Sequence, residues 1–121
     1  MTPEQLVTQL QNAPDTVEFN DVIATIDEHY HYSPGQFTNG TGKGAITNTA
    51  GSNEGSCKIF AFARLQQLDE AATLACFGRF YREEVLQDPR GDRHGNIRNF
   101  MQHGWAGIHF ESPVLTPVQT R

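Results

Sequence analysis

The chain has 121 residues, with 14 Asp and Glu against nine Lys and Arg and a formal net charge of -5 when the histidines are neutral. That length suits one domain, large enough to bury roughly two thirds of the surface its unfolded form exposes. The acidic balance speaks against a phosphate-backbone partner, no apolar run approaches bilayer-spanning length, and the first residues lack the basic and apolar regions of a signal peptide.

The charge is unevenly spread. Residues 1–42 carry Glu4, Asp15, Glu18, Asp21, Asp27 and Glu28 and no Lys or Arg, whereas six of the seven arginines fall between Arg64 and Arg98. Acids are interleaved with those arginines, so Arg79, Arg82 and Arg98 are expected to pair locally rather than form a basic face. Two cysteines without a secretory leader read as reduced thiols.

Thr2, Pro3 and Gln5 form the start signal of a first helix: an N-cap, a proline in the first turn and the distal residue of a capping box. Leu6, Val7 and Leu10 supply its apolar stripe. Asp15 and Glu18 have the spacing of a second capping box, opening a helix with Phe19, Val22, Ile23 and Ile26 inward. The short connection makes the two helices an antiparallel pair.

Tyr30-His31-Tyr32 alternates with period two and predicts a short strand. From Ser33 to Ser56 the chain is rich in Gly, Ser, Thr and Asn, and only Phe37 and Ile46 are large and apolar. It reads as a long loop, either a mobile lid or an insertion. Its tip, Gly40-Thr41-Gly42-Lys43-Gly44, lacks the spacing, the hydroxyl and the flanking strand and helix of a phosphate-binding loop.

Cys57 stands where this polar stretch passes into the apolar run Ile59-Phe60-Ala61-Phe62-Ala63, which continues through helix formers to Leu68. A buried helix is expected. Asp69 caps the next helix, with Leu74, Phe77, Tyr81 and Val85 on one face and Asp88-Pro89 at its end. The turn Arg90-Gly91-Asp92 leads to a last helix with Ile97, Phe100 and Met101; Gly104 stops it and places Trp105 against Phe100. Ile108 and Phe110 flank His109 in a strand expected to pair with the Tyr30 to Phe37 region, and residues 112–121, with Pro113 and Pro117, are expected to be a flexible tail.

The segments Gly55–Phe62, Thr73–Gly78, His94–Phe100 and Gly104–Ile108 together resemble the HopJ type III effector family over nearly the whole chain. The family name implies a bacterial protein delivered into plant cells, with no biochemical activity to carry over. Type III export signals are disordered and serine-rich, whereas here a capped helix begins at Thr2. Cytosolic residence is therefore expected, with delivery into a host cell as the alternative.

Three chemistries are open to these residues. If Cys57 lies in a first helical turn, the helix dipole and Lys58 favour its thiolate, with His94 or His109 as base. Gly-Ser-Cys before an apolar helix also resembles the nucleophile segment of papain-like proteases, although Lys58 stands where an aromatic is usual. His29-x-His31 chelates a metal only if both lie on one strand; a helix reaching His29 splits them, so no metal or cofactor is expected. A binding module without chemistry would use Ser56, Lys58, Asn96, Arg98 and Trp105, with Tyr32 and Phe37 as exposed aromatics. The expectation is a small, mainly helical α+β domain of about five helices at residues 1–111. It carries a two- or three-stranded β element and takes a protein or small-molecule partner, not nucleic acid or membrane.

Overall fold

The computed structural model describes residues 1–118. Helix α1 (Pro3–Asn12) begins as its sequence dictates: Gln5 N–H donates to Thr2 Oγ1 at 3.1 Å and Thr2 N–H donates to Gln5 Oε1 at 2.8 Å. Leu6 and Leu10 are its buried positions. The second capping box does not form. Asp15 lies in a 3-10 turn (Pro14–Thr16), and α2 (Phe19–His29) starts after Glu18 without a side-chain cap. The Thr16 hydroxyl bonds back to the Ala13 carbonyl instead, closing the turn before a helix can start there.

Strand β1 (Tyr30–Tyr32) follows α2 directly, and the glycine-rich stretch after it is folded. It forms an antiparallel hairpin of β2 (Phe37–Asn39) and β3 (Ile46–Asn48), with Phe37 opposite Asn48 and Asn39 opposite Ile46. Phe37, expected at the surface, is fully buried; its ring stacks on Phe110 at 5.3 Å and meets Phe60 edge-on at 5.9 Å.

Helix α3 (Glu54–Leu65) is the hub of the core. Cys57, Ile59, Phe60, Ala61, Phe62 and Ala63 are all buried, so nearly every face from the second turn onward meets another element. Phe60 touches the rings of Phe77 at 5.5 Å, Phe100 at 5.0 Å and Trp105 at 6.4 Å. Burying an aromatic side chain of this kind contributes about 1.5–3 kcal/mol.

Asp69 caps α4 (Glu70–Ala75) as expected, accepting from Ala72 N–H at 2.8 Å. The helix does not run on to Asp88. It breaks at Gly78, which adopts φ +58° while the α2 entrance crosses so closely that a Cβ there would sit 2.7 Å from Phe19 N. A π-helical segment (Phe80–Val85) resumes the path and still delivers Val85 to the core. Helix α5 (Gly95–His103) ends at Gly104, φ +62°, and Trp105 packs edge-on to Phe100 at 5.1 Å.

Strand β4 (Ile108–Phe110) adds to the free edge of β2, giving the order β3-β2-β4. Of the Tyr30 to Phe37 region expected to pair with it, Phe37 does so, opposite Phe110, while Tyr30–Tyr32 pairs with β5 (Leu115–Pro117) in a separate two-stranded sheet with Tyr32 opposite Leu115. The tail expectation is corrected accordingly for residues 112–118. Val114 and Leu115 are buried, Ser33 N–H donates to the Val114 carbonyl at 2.8 Å, and Val118 N–H donates to His29 O at 2.9 Å. Residues 119–121 of the expected tail lie outside the described residues. The whole is one small, mainly helical α+β domain with two small sheets.

Candidate functional site

Helices α3 and α5 start side by side, and between their first turns lies a cleft of about 480 Å³. Its floor is apolar, built by Phe19, Ile46, Phe77, Phe80 and Ile97. One wall is Asn53 with Gly55 and Ser56; the other is His94 with Gly95 and Asn96. Phe19 and Phe80 meet edge to face at 5.0 Å and so set the width of one end.

The two walls are built alike. Asn53 (φ +50°) and His94 (φ +60°) are left-handed N-cap residues, and neither caps its helix with its side chain. First-turn N–H groups have no partner within a helix, and among the described residues those of α3 and α5 have no other acceptor, so they can serve one in the cleft. Each first turn also carries a glycine where a side chain would intrude. A Cβ at Gly55 would stand 2.9 Å from Phe19 Cζ, and one at Gly95 would stand 3.0 Å from Ile46 Cδ1.

Beneath the walls is a cluster of amide side chains. Asn96 is buried, accepting from Asn39 Nδ2 at 3.0 Å and from Asn48 Nδ2 at 3.1 Å. Asn48 Oδ1 accepts from both Asn53 Nδ2 at 2.7 Å and Asn96 Nδ2 at 2.9 Å. Asn48 on the hairpin thus fastens both helix starts to one point, and the glycine-rich stretch is what holds the cleft in shape.

His94 forms a pair with Glu84, Nε2 to Oε1 at 2.7 Å, and its ring lies against Phe80 at 5.2 Å. Arg93 Nη1 is 3.6 Å from the same Glu84 oxygen. The Ser56 hydroxyl forms no side-chain hydrogen bond among the described residues and is free to meet a ligand.

Cys57 is in the right helix and the wrong place for a nucleophile. It is 1% exposed, and its only hydrogen-bond acceptor among the described residues is the Gly35 carbonyl, 3.9 Å from Sγ. Burial pushes the thiol pKa up and the Glu54 charge adds to this; the nearby Tyr32 hydroxyl and the Lys58 charge pull it down but do not prevail. The expected activation by the helix dipole and Lys58 is therefore overturned by desolvation. Lys58 is itself engaged, 2.8 Å from Asp27 Oδ1 and over the Tyr32 ring at 4.9 Å. No hydrogen bond joins Cys57 to a histidine among the described residues: His94 is held by Glu84, and His109 is exposed on β4.

The remaining residues divide cleanly. Ser56, His94 and Asn96 meet at the cleft. Arg98 does not line it; Nε and Nη1 close the preceding loop onto the carbonyls of Arg93 at 2.6 Å and Asp88 at 2.8 Å. Trp105 is also elsewhere, donating through Nε1 to the Leu68 carbonyl at 3.0 Å beneath the Arg64 guanidinium. His29 ends α2 and His31 lies in β1, so the helix boundary does split that pair. Sequence reasoning missed Phe19, Phe80 and Asn53 as cleft groups and Glu84 as the partner of His94. The one available signal was Asn53-x-Gly55-Ser56, a polar and flexible entry to a helix.

The three segments that meet here, around Gly55, Phe77 and His94, are among those that carry the family likeness. The class defined by this fold is a small α+β domain with a cleft between two helix starts. The chain belongs to the HopJ type III effector protein family, whose model matches residues 3–115. It is also similar to the crystal structure of VPA0580, a protein of unknown function, at 50% identity and a TM-score of 0.90 over 95% of this chain and 92% of that one. No curated protein matches the chain. Among the described residues, no helix is long and apolar enough to cross a membrane.

Proposed function

We propose that this HopJ-family protein is a small-molecule binding module, and that the cleft between α3 and α5 is where its ligand sits. The observation that carries this reading is the convergence of two uncapped helix starts on one aromatic floor, with Ser56, His94 and Asn96 at the rim. An apolar cavity with a few converging polar groups is the usual form of a small-ligand site. Gly55 and Gly95 support it further, because their missing side chains keep the space open. Cysteine-based catalysis draws no support from a sealed thiol.

The test is a screen of small apolar molecules bearing one polar group, followed by amide chemical shifts in nuclear magnetic resonance. Binding should move the resonances of residues 53–56 and 94–97 together, and Ser56→Trp, which fills the cleft, should abolish the response. Hits that instead move Ala61, Leu65 and Phe110, which line a separate groove of about 330 Å³, would refute the assignment.

A further inference from the structure

The cleft holds one titratable ring whose hydrogen-bonding role is fixed by its neighbour. His94 Nε2 lies 2.7 Å from Glu84 Oε1. A carboxylate accepts and does not donate, so at that distance the proton of a neutral His94 ring must be on Nε2. The lone pair is then on Nδ1. Among the described residues Nδ1 has no hydrogen-bond partner, while the ring forms part of the cleft wall and is braced by Phe80. Arg93, 3.6 Å from the same carboxylate oxygen, helps to hold Glu84 in place.

An unpaired acceptor at the rim of an aromatic cleft selects its ligand. While the ring is neutral it favours a donor on the edge of an apolar body, and it offers nothing to a carboxylate, whose charge would also approach Glu84. A hydroxyl suits the rim on both counts: its proton can go to Nδ1 while its oxygen accepts from a first-turn N–H of α3 or α5. We infer that the ligand is an uncharged molecule with a flat apolar body and a hydroxyl group that donates to His94 Nδ1, with Glu84 as the positioning residue that fixes the tautomer. This rests on the cleft being the ligand site.

Two measurements test it. Long-range proton–nitrogen correlation on the free protein at pH 8 reports the ring directly. An Nε2-protonated, Nδ1-bare ring is expected, with Glu84→Gln shifting the His94 nitrogen signals toward a mixture of tautomers; an Nδ1-protonated ring in the unaltered protein overturns the inference whatever the cleft binds. Phenol, anisole and benzoate are then titrated against the amide shifts of Ser56 and Gly95. Phenol should bind about 3–10-fold more tightly than anisole, the worth of one hydrogen bond, and Glu84→Gln should remove most of that difference. Equal binding of phenol and anisole, or a preference for benzoate, overturns the donor inference while leaving the cleft a ligand site. Absence of any response at those amides from all three probes overturns both.

Discussion

Asn48 and Asn96 exchange hydrogen bonds in both directions: Asn96 Nδ2 donates to Asn48 Oδ1 at 2.9 Å, and Asn48 Nδ2 donates to Asn96 Oδ1 at 3.1 Å. Both side chains are buried, on elements 48 residues apart in the chain. Asn53 and Asn39 extend the pair to the start of α3 and to β2, so one polar cluster sets the spacing of the cleft walls.

Asn48→Ala therefore removes an acceptor shared by two donors and a donor to Asn96. Leaving buried amide groups unpaired costs about 1–3 kcal/mol each, so a loss of about 2–4 kcal/mol is expected in urea unfolding. Thr47→Ala, one residue away and exposed, should stay within about 0.5 kcal/mol of the parent. Equal effects from the two substitutions would show that the amide cluster does not hold the hairpin.

Gly78 and Gly42 both have positive φ, at +58° and +65°, but only Gly78 is crowded. Nothing lies within 4 Å of a Cβ built at Gly42, whereas one at Gly78 meets Phe19 N at 2.7 Å and Val17 O at 3.3 Å. Gly42→Ala should cost about 1 kcal/mol, the left-handed penalty alone. Gly78→Ala adds a collision of backbone with backbone and should lower the melting temperature well beyond that. Gly78→Asn separates the two causes: if left-handed strain were the whole effect it would largely restore stability, and the crowding argues that it will not.

What was legible in the sequence were features whose cause is local. Thr2 with Gln5 and Asp69 with Ala72 lie within one turn of each other, and each cap formed as read. The run from Ile59 to Ala63 announced a buried helix by composition alone. What stayed hidden depends on distant partners. The β2–β3 hairpin has strands of three residues, and buried amides of Asn39 and Asn48 stand where alternating apolar residues would have signalled a strand. The Gly78 break is set by the crossing α2 entrance, which a helical pattern from Leu74 to Val85 does not reveal. At the site, Ser56, His94 and Asn96 were visible as residue types beside glycines, but the partner of His94 was not. Glu84 reaches it across a loop and a left-handed residue, a relationship with no periodic spacing.

Alkaline pH should destabilise the protein through its buried acids. Cys57 is pushed up by burial, as is Tyr32, and burial moves Cys76 to about 12. In each case the folded state keeps a proton that the unfolded chain gives up. Their contribution is thus fully present below the unfolded pKa, near 9 for the thiols, and is lost as pH rises toward the folded value. Each thiol can contribute a slope of at most about 1.4 kcal/mol per pH unit. Urea midpoints should fall between pH 9 and 10.5, and Cys76→Ala should flatten that fall even if it lowers stability at pH 7. Thiol alkylation of the folded protein at pH 8 should also be slow at both cysteines. Rapid labelling of Cys57 without unfolding would contradict the sealed position found for it.

Val114 and Leu115 are 2% and 6% exposed, and β5 pairs with β1 along Tyr30–Tyr32. Cutting the chain after Glu111 removes both side chains and uncovers the apolar parts of Tyr30 and Tyr32. Two buried aliphatic side chains at about 1.5–3 kcal/mol each set the expected loss at about 3–6 kcal/mol, a large part of the stability of a domain this size. The partial substitution Val114→Ala should give a smaller, measurable shift in the same direction. It tests the packing separately from the strand pairing, because the backbone bond from Ser33 to the Val114 carbonyl is kept. If the truncated chain kept its melting temperature, β5 would be an appendage and the domain would end at Glu111; the burial of Val114 and Leu115 argues that it extends through Pro117.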